Sequence, residues 1–102
     1  MIKMIALYKH PENKEAFDKH YYEVHAPLTA KIPGLRKMEV TKVIGSPMGG
    51  EGKYYLMCEM YYDDMESFKA AMKTPEAKAS GKDAMSFAGE IITLMIGEEV
   101  NE

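Results

Sequence analysis

The sequence predicts an α+β fold, a four-stranded antiparallel sheet with both helices packed against one face. Three observations lead to this prediction. Strand-like and helix-like segments alternate along the chain in the order βαββαβ. Residues 2–9 and 53–62 are apolar on both faces, which is typical of central strands. The chain has 102 residues, which suits a single domain over residues 1–102. Two split βαβ units in this order give the ferredoxin-like arrangement.

The first helical region follows directly after strand 2–9. Proline suits the first position of a helix, so we expect this helix to begin at Pro11. One buried face is predicted from four apolar residues at helical spacing: Phe17, Tyr21, Val24 and Leu28. Pro27 removes one helical hydrogen bond, so a kink or pause is expected near His25. The helix should end by Pro33.

The middle of the chain reads as a β-hairpin. Residues 35–44 alternate between apolar and charged side chains, which indicates a half-exposed edge strand. The glycine-rich segment 45–52 is predicted to be the hairpin loop. In strand 53–62, alternation places one set of side chains on a common face: Tyr55, Met57, Glu59 and Tyr61. The other set contains Cys58 and should face the helices. Glu59 should then face a barrel interior or a dimer contact, where His25 or a lysine could be its partner.

The last third of the sequence predicts a second helix and a final strand. Asp63 and Asp64 can cap this helix, with Asp63 at the capping-box spacing from Glu66. Its buried stripe is predicted to be Met65, Phe68 and Met72. A further short turn is expected to begin at Thr74-Pro75 and to end at Gly81. Residues 82–90 are predicted to be irregular, and 91–96 to form the last strand.

Composition and charge exclude several classes of protein. Hydrophobic residues make up 46% of the chain and charged residues 28%, as in ordinary globular domains. The net charge is −3 and no segment is strongly basic, which argues against a nucleic-acid partner. No apolar run approaches the ~18 residues of a membrane span. The single cysteine, Cys58, excludes an intrachain disulfide and favours a cytoplasmic location.

The short chain and the doubly apolar strands together predict a homodimer. A chain of this size buries about 65% of its surface on folding, which is enough for one modest core. A ligand cavity of ~300–1,000 Å³ is difficult to house within one such subunit. The sheet face without helices must also be covered, because an uncovered apolar face of that size marks an interface or a pocket. Two sheets packed face to face would form a dimeric α/β barrel with a cavity.

Motifs for common cofactors and metals are missing from the sequence. There is no GxGxxG, no phosphate loop, no CxxC and no HExxH. The three histidines, His10, His20 and His25, do not share one helical face, so no metal site is predicted. No cofactor is predicted either, although a haem- or flavin-linked protein is an alternative that visible absorbance would reveal.

The densest cluster of chemically useful side chains lies around His25. Tyr21 and Tyr22 are its i−4 and i−3 neighbours on the helix. An imidazole is suited to proton transfer near neutral pH, so His25 is a candidate general base. Tyr8, Tyr21, Tyr22 and Tyr55 are candidates for orienting a carbonyl or phenol. The alternatives are a structural histidine that caps a helix end, a tyrosine core, and Cys58 as a buried structural thiol.

Nearly the whole chain resembles the EthD family, small proteins of the dimeric α/β-barrel superfamily. The most specific segment is Phe17-x-x-x-Tyr21-Tyr22-x-x-His25-Ala26-Pro27-Leu28. Weaker matches are Tyr8-Lys9-His10-Pro11, Pro33-Gly34-Leu35, Glu59-Met60-Tyr61-Tyr62-Asp63, Phe68, Pro75-Glu76 and Asp83…Phe87. Tyr62 stands where phenylalanine is more usual.

The resemblance implies several activities without choosing among them. The family is named for ethyl tert-butyl ether degradation and is loosely grouped with oxidoreductases, and similar barrels include cofactor-independent monooxygenases, isomerases and cyclases. In related members the histidine matching His25 lies at the cavity mouth, which implies a role as base. We therefore expect a protein that binds a hydrophobic or aromatic metabolite, either as an oxidoreductase or as an isomerase or cyclase. A non-catalytic accessory protein of a catabolic pathway is a further alternative.

Overall fold

A computed structural model describes residues 1–100 and contains one four-stranded antiparallel sheet. The strands are β1 (Ile2–Lys9), β2 (Lys37–Lys42), β3 (Tyr54–Tyr62) and β4 (Ile92–Glu98). Their order across the sheet is β2-β3-β1-β4. The predicted α+β ferredoxin-like fold is therefore confirmed, with the doubly apolar strands β1 and β3 at the centre and β2 at an edge.

The helices cover one face of this sheet. They are α1 (Lys14–His20), a π-helical turn (Tyr21–His25), α2 (Ala26–Ala30), α3 (Met65–Met72) and α4 (Pro75–Ala88). Aromatic contacts join them to the sheet, because Tyr8 of β1 meets Phe17 of α1 and Tyr62 of β3 meets Phe68 of α3. No helix among residues 1–100 is both long enough and apolar enough to cross a membrane.

The start of α1 differs from the prediction. The helix begins at Lys14, and Pro11 lies outside it. Asn13 is the N-cap, since its side-chain oxygen accepts a hydrogen bond from the backbone N–H of Ala16 at 2.9 Å. This bond satisfies a backbone donor that the first helical turn leaves free, and asparagine is among the best residues for the task.

The π-helical turn changes which residues of the first helical region are buried. Val24 is 42% exposed, whereas His25 and Thr29 are 7% and 2% exposed. The predicted stripe through Val24 and Leu28 is therefore wrong after Tyr21. A π turn contains one residue more than an α turn, so everything after it is rotated by about 100° on the helix surface. The predicted pause near His25 takes the form of this turn, which ends just before Pro27.

Helix α4 is longer than predicted. It begins after the N-cap Thr74 and continues through Gly81 to Ala88, so the expected stop at Gly81 and the irregular segment 82–90 are wrong. An internal glycine costs only about 1 kcal/mol relative to alanine. Small buried side chains at helical spacing offset this cost by packing closely on the neighbouring elements: Ala77, Ser80, Ala84 and Ala88.

The helix after β3 shows a smaller difference from the prediction. Its N-cap is Asp64, which accepts a hydrogen bond from the N–H of Ser67 at 2.7 Å, and Asp63 instead pairs with Arg36. Of the expected stripe, Phe68 is buried and Met65 is 39% exposed.

A β-bulge in β3 moves Tyr55 to the helix-covered face of the sheet. The pairing of β1 with β3 shifts by one residue, so Tyr8 pairs with Leu56 and Lys9 with Tyr54. Tyr55 has no register partner in β1, and its hydroxyl donates to the carboxylate of Asp18 in α1 at 2.8 Å. The predicted common face of Tyr55 with Glu59 is wrong for this reason, because a bulge breaks strict alternation.

Candidate functional site

Asp83 of α4 binds two histidines of the first helical region. One of its oxygens lies 3.0 Å from Nδ1 of His25, and the other lies 2.9 Å from Nε2 of His20. A carboxylate has only acceptor positions, so each imidazole donates an N–H to it. Asp83 lies in a part of the chain that was predicted to be irregular. Helix α4 continues through that part, and this continuation brings Asp83 to the two histidines.

The hydrogen bonds continue from His25 toward the interior. Oγ1 of Thr29 lies 3.4 Å from Nε2 of His25, and 2.7 Å from Oγ of Ser80. With the Nδ1 proton of His25 directed at Asp83, its Nε2 accepts from the Thr29 hydroxyl, which in turn accepts from Ser80. Both nitrogens of His25 are thus held by the protein in one tautomer.

Burial governs the protonation of His25. Its side chain is 9% exposed, and removal from water lowers the pKa of the imidazole below 6.5. The nearby carboxylate of Asp83 opposes this effect and His20 adds to it. Since burial is the largest influence, His25 is a neutral imidazole at pH 7 and is able to accept a proton.

Two of the predicted tyrosines lie beside the histidine cluster. The ring of Tyr21 is 5.6 Å from those of both Tyr8 and His25. Burial raises the pKa of the Tyr8 and Tyr21 hydroxyls well above 10, and the thiol of Cys58 adds to the effect on both. Both side chains are therefore neutral hydroxyls at pH 7. Cys58 is itself buried, as predicted, and burial raises its pKa above 9.0.

The other predicted binding residues lie apart from this cluster. Tyr22 is 51% exposed on the protein surface, where its ring contacts Tyr21. Tyr55 is bound to Asp18, and burial together with this hydrogen bond raises its pKa to about 12. Glu59 is on the opposite face of the sheet, 2.7 Å from Nζ of Lys3. Its predicted partner was His25 or a lysine, and the partner is Lys3.

A groove of about 550 Å³ opens on the outer side of the histidine cluster. It lies between α1 and the segment that joins α4 to β4. Its walls include Phe17, His20, Met85 and Phe87, and its carboxylates are Glu12 and Glu90. The groove is thus on the helical side of the subunit, and not on the open sheet face where a shared cavity was expected.

The described part of the chain holds no group of three histidine, cysteine or acidic side chains arranged for a metal ion. His20 and His25 direct one nitrogen each at the carboxylate of Asp83, at 2.9 and 3.0 Å. The three side chains are therefore arranged as donors to an acceptor. The chemistry that this arrangement offers is acid–base chemistry.

Several residues of this cluster were not predicted from the sequence to be functional. They are His20, Thr29, Ser80 and Asp83. Asp83 belonged to the weaker matches of the family resemblance, but its position after Gly81 placed it in a predicted loop. The i, i+4 spacing of Asp83 and Phe87 is that of one helical face, which favours a helix through this segment and not the predicted loop. Phe87 also reaches the cluster, with its ring 4.4 Å from that of His20.

Comparison with known proteins identifies the family. The EthD domain matches residues 9–90. The crystal structure of an EthD family protein from Bacillus halodurans is similar, with 69% identity, a TM-score of 0.95, and 98% of this chain and 99% of that chain covered. An EthD-like protein from Ralstonia eutropha is 25% identical with a TM-score of 0.72, over 99% and 93% of the two chains.

A relative from Rhodococcus erythropolis is an uncharacterized 11.0 kDa protein of the thcB–thcC intergenic region. It is 27% identical over 99 residues, which are 97% of this chain and 95% of that protein. Its description carries no activity. The match over residues 9–90 and the likeness to the B. halodurans protein show that this chain belongs to the EthD family.

Proposed function

We propose that this EthD-family protein is a homodimer that binds a hydrophobic or aromatic small molecule and transfers protons to and from it. The observation that carries the proposal is the carboxylate of Asp83, which accepts hydrogen bonds from both His20 and His25. A carboxylate fixes the tautomer of a histidine and stabilises the imidazolium that forms when the histidine accepts a proton. His25, the base predicted from the sequence, belongs to this group.

The surroundings of the histidine pair favour this chemistry. Tyr8 and Tyr21 are buried and neutral, so their hydroxyls are suited to donating hydrogen bonds to an oxygen that gains negative charge. Tyr55 and Glu59 have partners elsewhere and do not support this role, and Tyr22 is at the surface. Isomerisation or cyclisation by proton transfer is therefore the activity that the contacts favour, and oxygenation remains a prediction from the family resemblance.

The homodimer is supported by the open face of the sheet. Its centre carries Ile5 and Leu7 of β1 next to Met57 of β3, all half-buried in the single subunit. Two solved structures of similar fold, from Bacteroides fragilis and Thermobifida fusca, are described as dimeric. A second subunit would remove this apolar surface from water, which at about 25 cal/mol per Å² favours association.

Hydrogen exchange on a simple ketone tests the proposal without knowledge of the natural substrate. The probe is 2-tetralone in D₂O, because its α-protons are acidic and its body is aromatic. A base removes the α-proton to give the enolate, and the exchanged imidazolium returns a deuteron. We expect the protein to accelerate exchange over buffer at equal pD, with a loss of about 10²-fold in an Asp83→Asn variant.

Two further variants complete the exchange experiment. His25→Gln should lose most of the acceleration, whereas His10→Gln should retain it because His10 binds Gly52 and Glu51 outside the cluster. Exchange no faster with the wild type than in buffer would contradict proton transfer, and equal acceleration by the wild type and the Asp83→Asn variant would contradict the role of Asp83. Binding of the ketone without accelerated exchange would favour the non-catalytic binding protein.

A further inference from the structure

The groove beside α1 exposes one of the two linked histidines and hides the other. The side chain of His20 is 34% exposed and lines the groove, whereas that of His25 is 9% exposed. Asp83 binds Nε2 of His20, at 2.9 and 3.0 Å from its two oxygens. No residue of the described range 1–100 forms a hydrogen bond with Nδ1 of His20. With a proton on Nε2, the free Nδ1 carries the lone pair.

Aromatic rings form the inner wall of the groove around this nitrogen. The ring of Phe87 lies 4.4 Å from that of His20 and 5.5 Å from that of Phe17, both at tilted angles. Met85, at the outer part of the wall, is 55% exposed. Planar apolar compounds gain most from such a wall, because rings stack or meet edge to face at these distances and methionine adapts to their shape.

The charge of the groove limits its ligands further. Glu12 and Glu90 line it, and within residues 1–100 its lining contains no lysine or arginine. An anionic ligand would meet like charge on both sides and would find no lysine or arginine there to compensate it. A neutral compound with an acidic O–H group meets neither cost and can donate to Nδ1 of His20.

We infer that this groove binds neutral aromatic hydroxy compounds of the phenol or enol type, with the hydroxyl bound to Nδ1 of His20. His20 is then the histidine of the pair that contacts the ligand, and His25 is a positioning residue that acts through Asp83. This inference rests on the proposed function, since it names the substrate class of that function and the nitrogen that contacts the substrate. The binding itself is measurable without turnover.

Binding of 2-naphthol, followed by NMR, tests the inference. We expect saturable shifts in the ring signals of His20 and Phe87. Loss of one neutral hydrogen bond weakens binding by about 2- to 12-fold, and we expect a loss of this size in His20→Phe. That variant keeps an aromatic ring beside Phe87 and removes both nitrogens, so it preserves packing. His20→Ala should weaken binding further, because it also removes the ring.

A charge reversal gives a test that depends on gain of binding. The wild type should bind 2-naphthoate at least about 10-fold more weakly than 2-naphthol, because the naphthoate is anionic. Glu90→Lys should improve naphthoate binding severalfold. The matched control is Glu23→Lys, at an exposed position of the π-helical turn that does not line the groove, and it should leave the binding unchanged.

Three outcomes would overturn the inference: no saturable binding of 2-naphthol at millimolar concentration, shifts centred on the open-face residues Ile5 and Met57, or equal binding of naphthol and naphthoate in the wild type. These results are separate from the exchange experiment. Groove binding with no exchange of 2-tetralone would contradict the proton-transfer function and leave the ligand site standing. Exchange of 2-tetralone without groove binding would support the proton-transfer function and contradict the ligand site.

Discussion

Each face of the sheet carries a partly buried group of acidic and basic side chains, and the two groups differ in their capacity for proton transfer. On the helix-covered face, Asp83 binds His20 and His25, and the imidazole is the side chain best suited to proton transfer near neutral pH. On the open face, Glu59 lies 2.7 Å from Lys3 and raises the pKa of the lysine further above 10.5. Lys3 therefore stays charged through the physiological range, whereas the buried His25 is neutral at pH 7 and can accept a proton.

The surroundings of the two pairs explain this difference. The open-face pair is part of a polar border, in which the hydroxyl of Tyr61 donates to Glu39 at 2.8 Å and Lys37 lies over the Tyr61 ring. Next to this border lies the apolar surface around Leu7. Fixed charges at the edge of an apolar patch set the orientation of a partner more than they add affinity. This contrast supports the proposals that the open face serves association and the covered face serves proton transfer.

The largest expected effect is on association through the open face. Leu7→Glu places a charge at the centre of the apolar surface, where it would be buried without a partner. We expect light scattering to give about twice 11.5 kDa for the wild type and about 11.5 kDa for the variant. Ile44→Glu, at a position that is 95% exposed in the loop before β3, should remain dimeric. A monomeric wild type would remove the proposed role of this face.

The next largest effect is expected at the helix-covered face. Asp83→Ala leaves the imidazole N–H groups of His20 and His25 without their acceptor, and the orphaned N–H of the buried His25 alone costs about 1–3 kcal/mol. We expect a lower urea midpoint at unchanged slope. The control is Asp63→Ala, which removes a carboxylate paired with Arg36 at the surface and should leave the midpoint unchanged. Equal midpoints for the two variants would show that the cluster contributes nothing to stability.

A smaller effect is expected from pH. The folded protein holds the pKa of His25 below 6.5, so the unfolded chain binds more protons than the folded chain between these two pKa values. The free energy of unfolding should therefore decrease as the pH falls through 6.5, and this contribution should be constant above about pH 7.5. Urea unfolding curves from pH 5.5 to 8 measure it.

Variants separate the contribution of His25 from that of other groups. His25→Gln should show a smaller decrease over this pH range than the wild type. A steeper decrease in His25→Gln than in the wild type would mean that the folded state favours the charged imidazole, contrary to the burial argument.

The smallest effect concerns the single thiol of the chain. Cys58 is 3% exposed on the helix-covered face, and burial raises its pKa, so little thiolate is available. We expect no reaction with a chromogenic disulfide at pH 8 in the folded protein and one thiol per chain after unfolding. A Thr41→Cys variant, exposed on edge strand β2, should gain one reactive thiol while folded. Reaction of Cys58 in the folded wild type would show that this face opens.

The sheet could be predicted from the sequence because alternation and apolar runs report burial directly. The central positions of β1 and β3 and the edge position of β2 followed from these patterns alone. Tyr55 was misplaced, because a bulge breaks the alternation and depends on the pairing of two strands far apart in sequence. Glu59 was assigned to the correct face, and the need of a buried carboxylate for a cation pointed to a lysine among its partners.

The histidine cluster could be predicted only in part. His25 stood out through its residue type and its neighbours, but Asp83 is 58 positions away and reaches it through tertiary packing. The prediction that Gly81 ends a helix hid this link. Glycine has a low helix propensity, but the small buried residues of α4 pack against the neighbouring elements and keep the chain helical through this position. His20 was not predicted to belong to the cluster, since its contact with Asp83 and its exposure to the groove depend on the course of α4.

The π-helical turn Tyr21–His25 decides the polarity of the interior behind the groove. With uniform α spacing, the aliphatic side chains of Val24 and Leu28 would face inward. The wider turn places an imidazole and a hydroxyl there instead. Deleting one residue from this turn, such as Glu23, would bring His25 and Thr29 to i+3 and i+7 from Tyr21, the spacings that Val24 and Leu28 have now. A regular α-helix one residue shorter would therefore present the same two polar groups to the interior. The extra residue of the π turn thus sets which side chains of the following helix are buried, with no change in side-chain chemistry.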